Sequence, residues 1–95
     1  MTPLTVVARL KARPGQEEAL GAMLRALLAP TRAEAGCIAY DLHRSHEEPG
    51  LFVFTESWAS RAEWEAHMAA PHLVEFGARQ EAVTESWDLF VGEKL

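Results

Sequence analysis

An α+β domain, built from two β-α-β units around an antiparallel sheet, is what this 95-residue sequence predicts. Four segments carry strand patterning, two helical segments separate them in the order β, α, β, β, α, β, and no linker divides the chain. One domain spanning residues 1–95 follows, since domains usually take roughly 100 residues or more.

The first strand is Leu4 to Ala12, where Leu4, Val6, Ala8 and Leu10 alternate with Thr5, Val7, Arg9 and Lys11 in a β-branched run. A Pro14-Gly15 turn then opens a helix with Glu17 and Glu18 in its first turn, where acids favour the helix dipole. Leu20, Leu24, Leu27 and Leu28 make its apolar stripe, so one long amphipathic helix is expected, bent near its end by Pro30 and stopped by Gly36. Cys37 to Arg44 and Leu51 to Trp58 form a hairpin around a polar turn that ends in Pro49-Gly50. Ile38, Tyr40 and Leu42 share one face of its first strand, and Phe52, Phe54, Glu56 and Trp58 share one face of its second. Ser60 caps the next helix with Glu63 three residues on. Pro71 breaks that helix, residues 72–83 give further helical turns, and Trp87, Leu89 and Val91 alternate in a last strand. This order is that of a ferredoxin-like split βαβ fold, with both helical segments on one sheet face and the other face bare.

Composition narrows the function classes. A hydrophobic share of 48% with 24% charged residues is that of an ordinary globular protein. Nine Lys and Arg without a cluster, in a chain of net charge −5, argue against nucleic acid. No apolar run approaches the roughly 20 residues of a membrane span and no signal peptide opens the chain, so no membrane partner and a cytoplasmic location are expected. Cys37 stands alone and can build neither a disulfide nor a thiolate metal site. So short a chain buries a modest share of its surface, and a homodimer through the open sheet face is expected.

Among polar groups, Glu56 stands between Phe54 and Trp58, and a buried carboxylate needs a partner. His67 on the following helix is the natural one. The pair either serves chemistry or fixes the helix on the sheet. His72, just after Pro71, either lines a pocket or lies in solvent at a helix start. His43 and His46 belong to a solvated turn. Metal ligation is not expected: His67 and His72 are five apart across a proline, and His43 and His46 are three apart on an extended segment. Tyr40, Trp58 and the other aromatics mostly fill the core, yet aromatics around a cavity also suit a flat aromatic ligand.

The stretches RPGQEEAL, RAEAGCIAYDLHRS, FTESW and HMAAPHLVEF, in this order, resemble the antibiotic biosynthesis monooxygenase domain over nearly the whole chain. The resemblance implies a dimeric α+β barrel with a pocket between sheet and helices in each subunit. It also implies oxygenation of a quinol- or anthrone-like aromatic by molecular oxygen without flavin, metal or other cofactor. Carried onto this sequence, it implies His67 as base or hydrogen-bond partner, Glu56 as its orienting group, and Tyr40, Trp58, His72, Phe76 and Arg32 as substrate-binding residues. Relatives that degrade heme use an asparagine on the first strand, and this chain has none. Two other readings stand beside the monooxygenase: a non-catalytic dimeric module for a hydrophobic ligand, and an isomerase of a phosphorylated signalling metabolite. The second would need cations near the pocket, for which Arg32, Arg61 and Arg79 are the candidates.

Overall fold

A computed structural model describes residues 2–95. Strands β1 (Leu4–Ala12), β2 (Cys37–Arg44), β3 (Leu51–Trp58) and β4 (Thr84–Glu93) form one antiparallel sheet in the order β2-β3-β1-β4, the ferredoxin-like arrangement. β1 lies inside, with Val6 opposite both Glu56 of β3 and Val91 of β4. Strand periodicity then puts Val6, Ala8, Leu10 and Ala12 on the same face as Phe52, Phe54, Glu56 and Trp58, and all eight are buried.

The helices cover that face. The expected long helix is two: α1 (Glu17–Arg25) and α2 (Leu28–Arg32), with a turn at Ala26 and Leu27. The break falls one turn before Pro30 because an uninterrupted helix would need an amide proton from residue 30 for the Ala26 carbonyl, and proline has none. Pro30 itself sits in the first turn of α2, where its missing donor costs little. Leu20, Leu24 and Leu27 enter the core, and Gly21 lets α1 approach Phe52 so closely that a Cβ would lie 3.2 Å from the ring. On the second half, Ser60 Oγ accepts the Glu63 amide at 3.2 Å and starts α3 (Arg61–Met68), as the Ser-x-x-Glu spacing predicts. Pro71 opens α4 (Pro71–Arg79), followed by a 3₁₀ turn at Gln80–Ala82.

Two bulges alter the sequence reading. Cys37 faces Trp58 and Ala39 faces Ser57, so Ile38 is an extra residue in β2. It leaves the face of Tyr40 and is 58% exposed, while Cys37 takes the inward position. A second irregularity at Lys11/Ala12 absorbs Glu85, after which Trp87, Leu89 and Val91 pair with Leu10, Ala8 and Val6 on the helix side. The helices leave this edge strand only partly covered, and Trp87 is 57% exposed. The opposite sheet face carries no helix and mixes Val7, Val53 and Phe90 with Arg9, Thr55 and Asp88.

Candidate active site

His67 lies near the end of α3, on the side turned to the sheet, and is 1% exposed. Its ring rests against Trp58 with centroids 4.7 Å apart and meets the edge of Tyr40 at 5.5 Å. Nδ1 is 2.8 Å from Oε2 of Glu34. Burial pushes the imidazole below its ordinary 6.5, because the charged form loses its water, and the Glu34 carboxylate opposes this only in part. The neutral ring donating Nδ1–H to Glu34 therefore carries its lone pair on Nε2.

Glu34 comes from the turn between α2 and β2, which Gly36 closes at φ +81, a conformation that side chains rarely adopt. A Cβ at Gly36 would also overlap the Glu63 carboxylate. The same Glu34 oxygen lies 2.9 Å from Nε2 of His72, the second residue of α4, and that nitrogen is 3.1 Å from Oγ1 of the fully buried Thr31. One carboxylate oxygen thus ties the end of α3, the start of α4 and the turn before β2.

Beside His67 is a cavity of about 330 Å³ between the sheet and the second helical pair. Its wall is mostly apolar, with Tyr40, Phe54, Trp64, Met68, Phe76 and Trp87 prominent, and it includes His67 and Glu56. Glu56 is 7% exposed and accepts a hydrogen bond from Trp58 Nε1 at 2.9 Å. Burial raises its carboxyl to about 7, against the favourable indole bond and with a smaller push from the Glu34 charge. Burial, with the Glu56 charge behind it, likewise pushes the Tyr40 phenol well above its usual range.

The residues singled out from sequence divide accordingly. His67, Glu56, Tyr40 and Phe76 are on the cavity wall. Trp58 is sealed beneath His67 and reaches Glu56, not the cavity. His72 stands behind Glu34, where it is neither on that wall nor in free solvent. Arg32 turns away: Nε donates to the Tyr40 carbonyl at 3.0 Å and a terminal nitrogen lies 3.3 Å from Asp41, so it fastens α2 to β2. The expected pairing of Glu56 with His67 is corrected. Glu34 takes that place, because the turn before β2 reaches the end of α3 while Glu56 is held by the indole two residues along its own strand. Sequence reasoning passed over Glu34 and Thr31. The available signal was an acid two residues before the glycine that ends the helical segment.

Residues 3–79 match the sequence profile of the antibiotic biosynthesis monooxygenases. The chain belongs to this family. Glu34, Glu56, His67 and His72 all lie inside the matched stretch, whereas β4 lies beyond it. Rv0793 of Mycobacterium tuberculosis is 40% identical over 78 residues, 82% of this chain and 76% of that protein. Its solved structure aligns at TM-score 0.92 and 35% identity over 99% of this chain and 96% of that one. PA3566 of Pseudomonas aeruginosa aligns at TM-score 0.96 and 41% identity, covering 100% and 96% of the two chains. A crystal structure described as an antibiotic biosynthesis monooxygenase aligns at TM-score 0.90 and 29% identity, covering 97% and 98%. No helix among the described residues is long and apolar enough to cross a membrane.

Proposed function

We propose that the protein is a cofactor-independent monooxygenase that oxidises a small quinol- or anthrone-like aromatic with molecular oxygen. The observation that carries this reading is the Glu34–His67 pair, whose imidazole is part of the wall of an apolar cavity while the carboxylate stands behind it. Glu34 fixes the tautomer, so Nε2 of His67 is the basic atom, and a ring kept neutral by burial is ready to accept a proton near neutrality. Nε2 takes the proton of the substrate's acidic O–H or ring C–H. The resulting anion passes one electron to oxygen, and the two radicals combine at a ring carbon. Elimination of water leaves one oxygen atom on the substrate, and the two hydrogens in that water are the substrate's own. No external reductant enters the balance.

Glu56, with a carboxyl near half-protonation at pH 7, offers a second polar contact to an oxygen of the substrate. Tyr40, Phe76, Trp64 and Trp87 hold the ring and keep bulk water from the anion. A volume of about 330 Å³ is at the small end of ligand pockets, which run from roughly 300 to 1,000 Å³, and suits one or two rings better than four. No Lys or Arg is on this wall, which counts against a phosphorylated substrate. The bare sheet face with Val7, Val53 and Phe90 supports a homodimer built through it.

Oxygen uptake with a panel of hydroquinones, naphthohydroquinones and anthrones tests the reading. Turnover above the uncatalysed rate, lost in His67→Ala and kept in His43→Ala, is expected. Rates equal with and without protein, while an aromatic still binds, would instead identify a non-catalytic binding module.

A further inference from the structure

We infer that Glu34, His67 and His72 form a binding site for a divalent transition-metal ion, and that its occupation switches off the other ring nitrogen of His67 as a base. The three side chains offer one ligand atom each, Oε2, Nδ1 and Nε2, all within 4.8 Å of one another. Two imidazoles and a carboxylate are a donor set that suits zinc and its first-row neighbours. Ligand atoms around a tetrahedral ion with bonds of about 2.0–2.1 Å sit roughly 3.3 Å apart, so the two nitrogens need to draw together by no more than about 1.5 Å while the carboxylate oxygen moves out by about 0.4 Å from each. Both ring nitrogens already point at one place, since they share the same carboxylate oxygen at 2.8 and 2.9 Å.

The fold creates this convergence where the sequence spacing argued against it. Pro71 separates the histidines by a helix break, and the break turns two residues five apart toward a common acid from 33 residues upstream of His67. Glu34 can withdraw to admit an ion because it stands on a turn and not within a helix or strand. Its side chain is 17% exposed and that of His72 is 24% exposed, so water can reach the remaining coordination positions. His67 supplies the buried anchor at 2% side-chain exposure.

Coordination requires the lone pair of Nδ1 on His67. The ring proton then resides on Nε2, which becomes a donor instead of an acceptor. Metal binding and proton abstraction at Nε2 are mutually exclusive. The ion is an inhibitor in this scheme, so the site does not alter the cofactor-free chemistry. The inhibitory half rests on the proposed function, whereas the site itself does not.

The test is calorimetric titration of tag-free, chelator-treated protein with Zn²⁺, paired with Co²⁺ titration followed by visible absorption. One saturable ion per chain is expected, with affinity falling as pH drops because protons compete for the two imidazoles. Glu34→Gln and His72→Ala, each checked for a native circular dichroism spectrum, should weaken binding at least tenfold, and His43→Ala should not. Absence of saturable binding, or binding unchanged in Glu34→Gln and His72→Ala, overturns the site. Oxygen uptake measured across the same titration separates the two claims: binding without any loss of turnover retains the site and sinks the role of Nε2 as base. If no substrate turns over, the calorimetric and absorption results still decide whether the site exists.

Discussion

Trp58 donates its indole N–H to Glu56 at 2.9 Å, from two positions along the same strand face. The bond is confined to one strand, so it moves with the sheet, and it presents a carboxyl among aromatic rings with a single strong donor. That environment favours the protonated acid, which rises to about 7 from an ordinary 4.5.

Stability should therefore depend on pH through Glu56. The native state holds the proton more tightly than the unfolded chain, so stability falls as pH rises from about 4.5 to about 7 and stays reduced above that. A shift of this size corresponds to about 3 kcal/mol as an order of magnitude. Glu56→Gln keeps an acceptor for the indole and removes the charge, and its urea midpoint should exceed wild type at pH 8 and approach it at pH 4.5. A mutant no more stable than wild type at pH 8 would remove this account of Glu56.

His67 titrates with the opposite sign. Its folded value lies below 6.5, so the neutral ring is favoured and both stability and proton-accepting capacity are lost as pH falls through that region. The acid limb of the rate against pH should have its midpoint below 6.5. A limb centred at or above 7 would assign the essential base to another group.

Glu34→Gln separates positioning from packing. The amide can present either a donor or an acceptor to Nδ1, so the tautomer is no longer enforced, and turnover should drop by about 10²-fold with substrate affinity retained. Because the Glu34 charge raises the His67 value, its removal should also move the acid limb to lower pH. A rate loss with an unmoved limb would mean that Glu34 only holds the helices together.

Association is predicted through the face that has no helices. Val53→Asp with Phe90→Asp should convert a dimer into a monomer in sedimentation equilibrium, because each places a charge where apolar side chains would meet. A wild-type protein that sediments as one chain would refute the arrangement.

Much of this architecture is legible in the sequence, for reasons tied to single elements. Alternation alone delimits β1 at Leu4–Ala12, and the Ser60–Glu63 spacing and Pro71 mark the starts of the two helices of the second pair. Ile38 was misplaced because a bulge inserts one residue without changing the alternating pattern, so only the partner strand reveals which residue is extra. Glu34 was missed for a different reason. Its importance comes from a nitrogen 33 positions away, a relation set by how α3 lies on the sheet and not by any local period. Glu56 had the sequence signal of a buried acid, yet the indole that satisfies it lay on its own strand.

Two of the three tryptophans, Trp64 and Trp87, border the cavity, while Trp58 is shut away at 0% exposure. The molecule thus contains its own optical probe. An occupant that displaces water from the rim should change the emission of Trp87 in particular, and a Trp64→Phe, Trp87→Phe double variant would isolate the quieter signal of the interior Trp58. Screening for the natural compound can then begin with unlabelled protein and a fluorimeter, before any turnover has been detected.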